Sequence, residues 1–76
     1  MGYNVAESIS IIRLPVVQQR TGLSRSEIYR REGLGQFPNR VSIGARSVGW
    51  VSGEISAWIE ERIQQSRQQF RQGGQE

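Results

Sequence analysis

The sequence predicts a mainly α domain with a small β-hairpin, a winged helix-turn-helix of three helices plus wing. Three observations carry this prediction. Thr21-Gly22-Leu23-Ser24 is a tight corner between two short stretches of helical character. Apolar residues alternate from Val41 to Trp50 around a central turn, and Ile55, Trp58, Ile59 and Ile63 recur at helical spacing. A chain of 76 residues fits one domain with a small core. The expected organisation is a flexible N-terminus over 1–8, the winged domain over 9–63, and a polar helix extension with a disordered tail over 64–76.

The elements follow in order. Met1 to Ser8 is polar and expected to fray. Ile9 to Leu14 reads as a short strand leading into the first helix. Pro15 suits that helix's first turn, where a missing N–H costs nothing. The helix runs from Pro15 to Arg20, with Val17, joined by Val16, on its inner face. Gly22 can take the left-handed conformation that ends a helix, and Leu23 pins the turn to the core. Ser24 is an N-cap, and with Glu27 three residues on it makes a capping box. The second helix then runs from Arg25 to Glu32 and stops near Gly33.

Gly33 to Pro38 is a loop from which Phe37 packs inward. Val41 and Ile43, then the turn Gly44-Ala45-Arg46-Ser47, then Val48 and Trp50, read as a β-hairpin. Ser52 caps the third helix, with Glu54 favourably placed in its first turn. Ile55, Trp58, Ile59 and Ile63 form its core stripe. Arg62 lies inside that stripe and must snorkel. Gln64 to Gln72 extends the helix until Gly73-Gly74. Phe70, seven residues beyond Ile63, is either a stray aromatic on a solvated tail or part of a docking or dimer helix.

The composition removes whole classes of chemistry. The chain has no cysteine, histidine or aspartate, so disulfides, thiolate metal sites, the usual zinc ligands and Ser-His-Asp arrangements are absent. Neither a metal nor a cofactor is expected, and no enzymatic activity. Gly44 to Gly49 lacks the lysine and following helix of a phosphate loop. Glu60 and Glu61 diverge by about 100° on a helix and form no acid–base pair. Ile9-Ser10-Ile11-Ile12 is too short for a signal peptide or membrane span. The expectation is a cytoplasmic protein of the bacterial nucleoid, with neither a membrane nor a small-molecule ligand as partner.

All ten basic residues are arginine. Between Arg13 and Arg46 there are seven arginines against Glu27 and Glu32, a local balance of +5, whereas the stretch from Glu54 onward is close to neutral. This asymmetry suggests a polyanion-facing front carried by a scaffold. Arginine in particular suits bidentate contact with phosphate and guanine.

A helix-turn-helix offers the start of its second helix to the major groove of double-stranded DNA. If Ile28 faces the core, Ser26 and Arg30 point away, Arg25 and Tyr29 flank them, and Glu27 lies near Arg31. Arg25 and Arg30 then reach guanine or phosphate. Ser26 is short enough for close approach, and the N–H groups capped by Ser24 favour phosphate. Tyr29 either sends its hydroxyl to a phosphate while its ring packs on the first helix, or only packs. Arg46 at the hairpin tip, with Ser47 beside it, suits the minor groove, and Arg40 at the hairpin base suits the backbone. The six aromatics are spread out, which disfavours a single-strand stacking platform.

The run Arg13 to Ile63 resembles the AlpA family of phage and prophage regulators, which is related to the MerR-like excisionases. The resemblance rests on Arg13-Leu14-Pro15, Thr21-Gly22-Leu23-Ser24-Arg25-Ser26 with Ile28-Tyr29-Arg30, Phe37-Pro38, Gly44-Ala45-Arg46-Ser47-Val48-Gly49-Trp50, and Glu54-Ile55 with Ala57-Trp58-Ile59. It implies a winged helix-turn-helix that regulates prophage or integrase genes. It maps recognition-helix positions onto Ser24, Arg25, Ser26, Tyr29 and Arg30, and the wing arginine onto Arg46. Where the family commonly carries apolar residues, this chain has Arg31, Glu32 and Gly33, so the second helix is expected to end early with Leu34 filling the gap.

Two other readings use the same residues. An excisionase-type architectural factor would bend DNA and recruit an integrase. A protein-binding inhibitor would act through the Ile63–Phe70 face. A homodimer or cooperative oligomer on DNA is a further expected partner, because one such module covers only about 600–1,000 Å².

Overall fold

The computed structural model describes residues 9–73, with side chains through position 69. The order is β1 (Ile11–Ile12), α1 (Leu14–Thr21), α2 (Arg25–Gly33), β2 (Val41–Gly44), β3 (Ser47–Val51) and α3 (Ser52–Gly73). Three helices and an antiparallel hairpin make the winged helix-turn-helix that the sequence predicts.

Pro15 lies in the first turn of α1, and Gly22 ends that helix at φ 78°, its N–H donating to Gln18 O at 2.8 Å. Thr21 closes the corner, its Oγ1 donating to Val17 O at 2.8 Å and accepting from the Leu23 N–H at 3.2 Å. Ser24 caps α2 by accepting the Glu27 N–H. Only that half of the capping box forms, because the Glu27 carboxylate is taken by arginines. Gly33 is still helical, and the left-handed residue that follows α2 is Gly35 at φ 74°. Leu34 fills no gap: it is 58% exposed, and its N–H serves as the C-cap donor.

β1 is shorter than expected but joins the hairpin as a third strand, giving the order β1-β3-β2. Ile11 pairs with Val51 and Ile12 with Trp50. Gly49 makes this pairing possible: a Cβ there would collide with Ile11 Cγ2 and lie 3.0 Å from Ile12 O. On the other side Val41 pairs with Gly49 and Ser42 with Val48, and the register then shifts before Gly44 meets Ser47. A bulge of this kind re-aims the side chain it carries. Ile43, expected inside, is accordingly exposed.

Val17, Ile28, Phe37, Trp50 and Ile55 form the buried core. Ile12, Leu14, Leu23, Tyr29, Trp58 and Ile59 pack around it. Val17 is the buried residue of α1, whereas Val16 is exposed. Trp50 is the fully buried tryptophan. Trp58, expected on the core stripe, packs against the core but is only half-buried, with Phe37 edge-on at 4.9 Å and its Nε1 donating to Gln36 O at 2.9 Å. Arg62 does snorkel, its guanidinium lying 5.4 Å over the Trp58 ring.

α3 begins at the sheet. The Ser52 N–H donates to Ser10 O at 2.7 Å, and the Ser52 hydroxyl, expected to cap the helix, accepts from Arg20 Nη1 at 3.0 Å. Arg20 Nη2 also donates to Ser56. The helix then continues without a break to Gly73, and Ile63 is exposed instead of closing the core. The side chain of Phe70 lies outside the described residues. No helix among those residues is long and apolar enough to cross a membrane.

Candidate nucleic-acid interface

α2 is oriented by Ile28, which is fully buried beneath it. The helical period then turns Arg25, Ser26 and Arg30 to solvent, where all three are exposed, and leaves Tyr29 half-buried at the edge. Ser24 and Ser26 bring their hydroxyls to 3.3 Å, both on the outside of the first turn. The free N–H groups of that turn stand beside two small polar residues and an arginine, a setting that favours an anion.

Arg30 is held in place. Its Nη2 donates to Glu27 Oε2 at 2.7 Å and its Nε to Oε1 at 3.3 Å, a two-pronged grip. Arg31 approaches the same carboxylate at 3.5 Å, as the spacing predicts. The hydrogen bond from Arg30 is the main reason the Glu27 carboxyl lies below its ordinary value; desolvation opposes it, and the charges of Arg30 and Arg31 add to the lowering. The same hydrogen bond raises Arg30 above its ordinary value. The grip orients the guanidinium along the helix with more than half of the side chain in solvent.

Tyr29 is the hub of a second cluster. Arg25 lies 5.5 Å and Arg40 4.9 Å from its ring centroid. The ring's aromatic neighbour is Trp50 of β3, at 6.3 Å and tilted by 51°. Arg40 is fixed in turn by Glu32: its Nη1 donates to Oε1 and its backbone N–H to Oε2, both at 2.6 Å. One carboxylate thus couples the end of α2 to the base of the hairpin. Arg25, Tyr29 and Arg40 form one continuous patch.

The hairpin tip is separate. Arg46 is exposed at φ 60°, between Gly44 at φ 155° and a half-buried Ser47. No hydrogen bond, ion pair or ring contact links Arg46 to the α2 cluster among the described residues. The site residues read from the sequence therefore fall into a helix patch (Ser24, Arg25, Ser26, Tyr29, Arg30 and Arg40) and a tip (Arg46 and Ser47).

Sequence reasoning missed the carboxylates that arrange these cations. Glu27 was legible as a partner for Arg31, yet its closer bond is to Arg30, one helical neighbour away. Glu32 and Arg40 are joined across the loop that follows α2, and no periodic signal spans a loop. Chemically, the patch offers exposed guanidinium forks and a capped helix start, both suited to phosphate or to the edge of a base. Among the described residues no group of three or more carboxylates, thiols or imidazoles could hold a metal.

Comparison with known proteins gives this geometry a context. Residues 10–63 match the family described as "Prophage CP4-57 regulatory protein (AlpA)". A protein of Enterobacteria phage P4 named "Uncharacterized protein ORF88" is 44% identical over 52 residues, covering 68% of this chain and 59% of its own length. The "DNA-binding transcriptional activator AlpA" of Escherichia coli (strain K12) is 36% identical over 67 residues, covering 78% of this chain and 93% of its own. No solved structure matches.

Proposed function

The chain belongs to the AlpA family of prophage regulatory proteins, and from that premise we propose that it is a transcriptional regulator that binds double-stranded DNA sequence-specifically. α2 enters the major groove with Arg25, Ser26 and Arg30 toward the bases. Ser24, Tyr29 and Arg40 meet the flanking phosphates. The β2–β3 hairpin reaches the adjacent minor groove or backbone through Arg46 and Ser47. Its genes would be those of a prophage or another mobile element, read in the bacterial cytoplasm.

The observation that carries this reading is the outward face of α2. Arg25 and two serines lie at the start of a helix whose opposite face is buried, Arg30 is exposed in its last turn, and that helix belongs to the element a helix-turn-helix inserts in DNA. The activator relative is named as DNA-binding, which supports the same assignment. Selection of bound sites from random duplex DNA, followed by a salt titration of the winner, tests it. Recovery of a consensus bound several hundredfold more tightly than bulk DNA is the expected result. Failure to enrich any sequence, with only salt-sensitive uniform binding, would reject sequence-specific recognition.

A further inference from the structure

Beyond Ile59 α3 leaves the domain, and from Glu60 to Gln69 every residue except Arg62 is exposed. The helix nevertheless carries a pattern. Ile59 packs on the core, and Ile63 and Ser66 carry its stripe onward into solvent at a four–three spacing, the period of the narrow seam by which two helices pack in a coiled coil. Glu60 and Arg67 stand beside that seam on the same flank, and with Ile63 and Gln64 they line a shallow furrow. Neither Glu60 nor Arg67 makes an ion pair among the described residues. Ile63 is 42% exposed, which leaves an apolar centre between two opposite charges.

We propose that this furrow is the contact by which two copies of the chain associate, their α3 helices running antiparallel about a two-fold axis. The charges select both the partner and the direction. An antiparallel pair that seats Ile63 on Ser66 of the second copy brings Glu60 beside the other copy's Arg67. The symmetry then repeats that bond, since residue i meets j and j meets i. A parallel pair would instead set Arg62 of one helix against Arg67 of the other, a like-charge clash at the flanking positions that fix orientation in such pairs. The antiparallel arrangement also places the two domains toward opposite ends of the helix pair.

The association needs no DNA and is independent of the DNA-binding reading. The test is sedimentation equilibrium of the full chain at low salt, without DNA. The wild type is expected to form a dimer. Glu60→Arg and Arg67→Glu each create two like-charge contacts, and each should raise the dissociation constant about tenfold. Mixing the two single variants should restore a tight heterodimer, because every contact between them is again Arg with Glu. The double variant Glu60→Arg/Arg67→Glu should recover a homodimer. All these substitutions are on exposed positions, and circular dichroism melts confirm that each variant folds. A wild type that stays monomeric at millimolar concentration overturns the proposal, as do single variants that associate like the wild type. Tighter association of Arg67→Glu overturns it in favour of parallel helices, where Arg62 would gain a partner.

Discussion

Glu32 grips Arg40 twice, through its guanidinium and through its backbone N–H, each at 2.6 Å. The carboxylate is nearly out of solvent, with 11% of the side chain exposed. It lies in the last turn of α2 and faces the residue from which the hairpin starts, so it sets the angle between helix and wing. Glu32→Gln removes a negative charge from a basic surface, which on charge alone would raise DNA affinity. We expect the opposite. Site affinity should fall severalfold in gel-shift titrations, because Arg40 loses its fixed place and the wing its hinge. Affinity that rises would show that Glu32 acts as a charge and not as a brace.

Arg30→Ala and Arg46→Ala should each weaken binding to the selected site about ten- to a hundredfold if they contact bases. Thermal melting should be little changed, since both side chains are exposed. Salt titrations separate the roles. Loss of one phosphate contact lowers the slope of log K on log salt by about 0.9, whereas loss of a base contact changes which sequences bind. Unchanged binding in both variants would remove the proposed surface.

The Glu27–Arg30 pair gives a pH signature. Because the folded carboxyl titrates below its ordinary range, the unfolded chain binds the proton more readily. The stability it contributes is therefore fully present above the unfolded carboxylate pKa and is lost as pH falls through the lower, folded one. Carbon-detected NMR titration of Glu27 should show a midpoint below the ordinary value of a glutamate side chain. Arg30→Ala should move that midpoint upward, since Arg30 is the largest cause of the shift. A midpoint that stays put would assign the depression to something other than this bond.

Trp50→Ala should unfold the domain. It deletes a fully buried indole whose Nε1 also donates to Pro38 O at 3.1 Å. Removing a buried aromatic costs about 3–5 kcal/mol, comparable to the whole stability of a domain this small. Trp58→Ala, at a half-buried site, should lower the melting temperature and leave a cooperative transition. Equal loss in the two variants, followed by calorimetry, would show that the core is centred differently.

The helix-turn-helix corner was legible because each residue there acts through the local backbone. Gly22 takes the left-handed conformation, Ser24 accepts the Glu27 N–H, and Leu23 packs inward, all between positions 22 and 27. Phe37 was legible as the apolar residue of a polar loop. The choice between the two tryptophans was not. Both fit their local periods, and only the packing of β3 between β1 and β2 decides that Trp50 is enclosed. Ile43 was misplaced because alternation assumes an unbroken register, which the bulge after Ser42 interrupts. The basic surface could be counted from the sequence, but its arrangement depends on Glu27 and Glu32, whose choice of partner is settled by three-dimensional distance.

At the hairpin tip the backbone of Arg46 sits at φ 60°, a conformation that costs an L-residue about 1–2 kcal/mol and glycine almost nothing. A loop shaped for sturdiness alone would carry glycine there. Keeping a long cation on a strained hinge trades fold stability for reach, so Arg46→Gly should yield a tougher protein with a blunter tip.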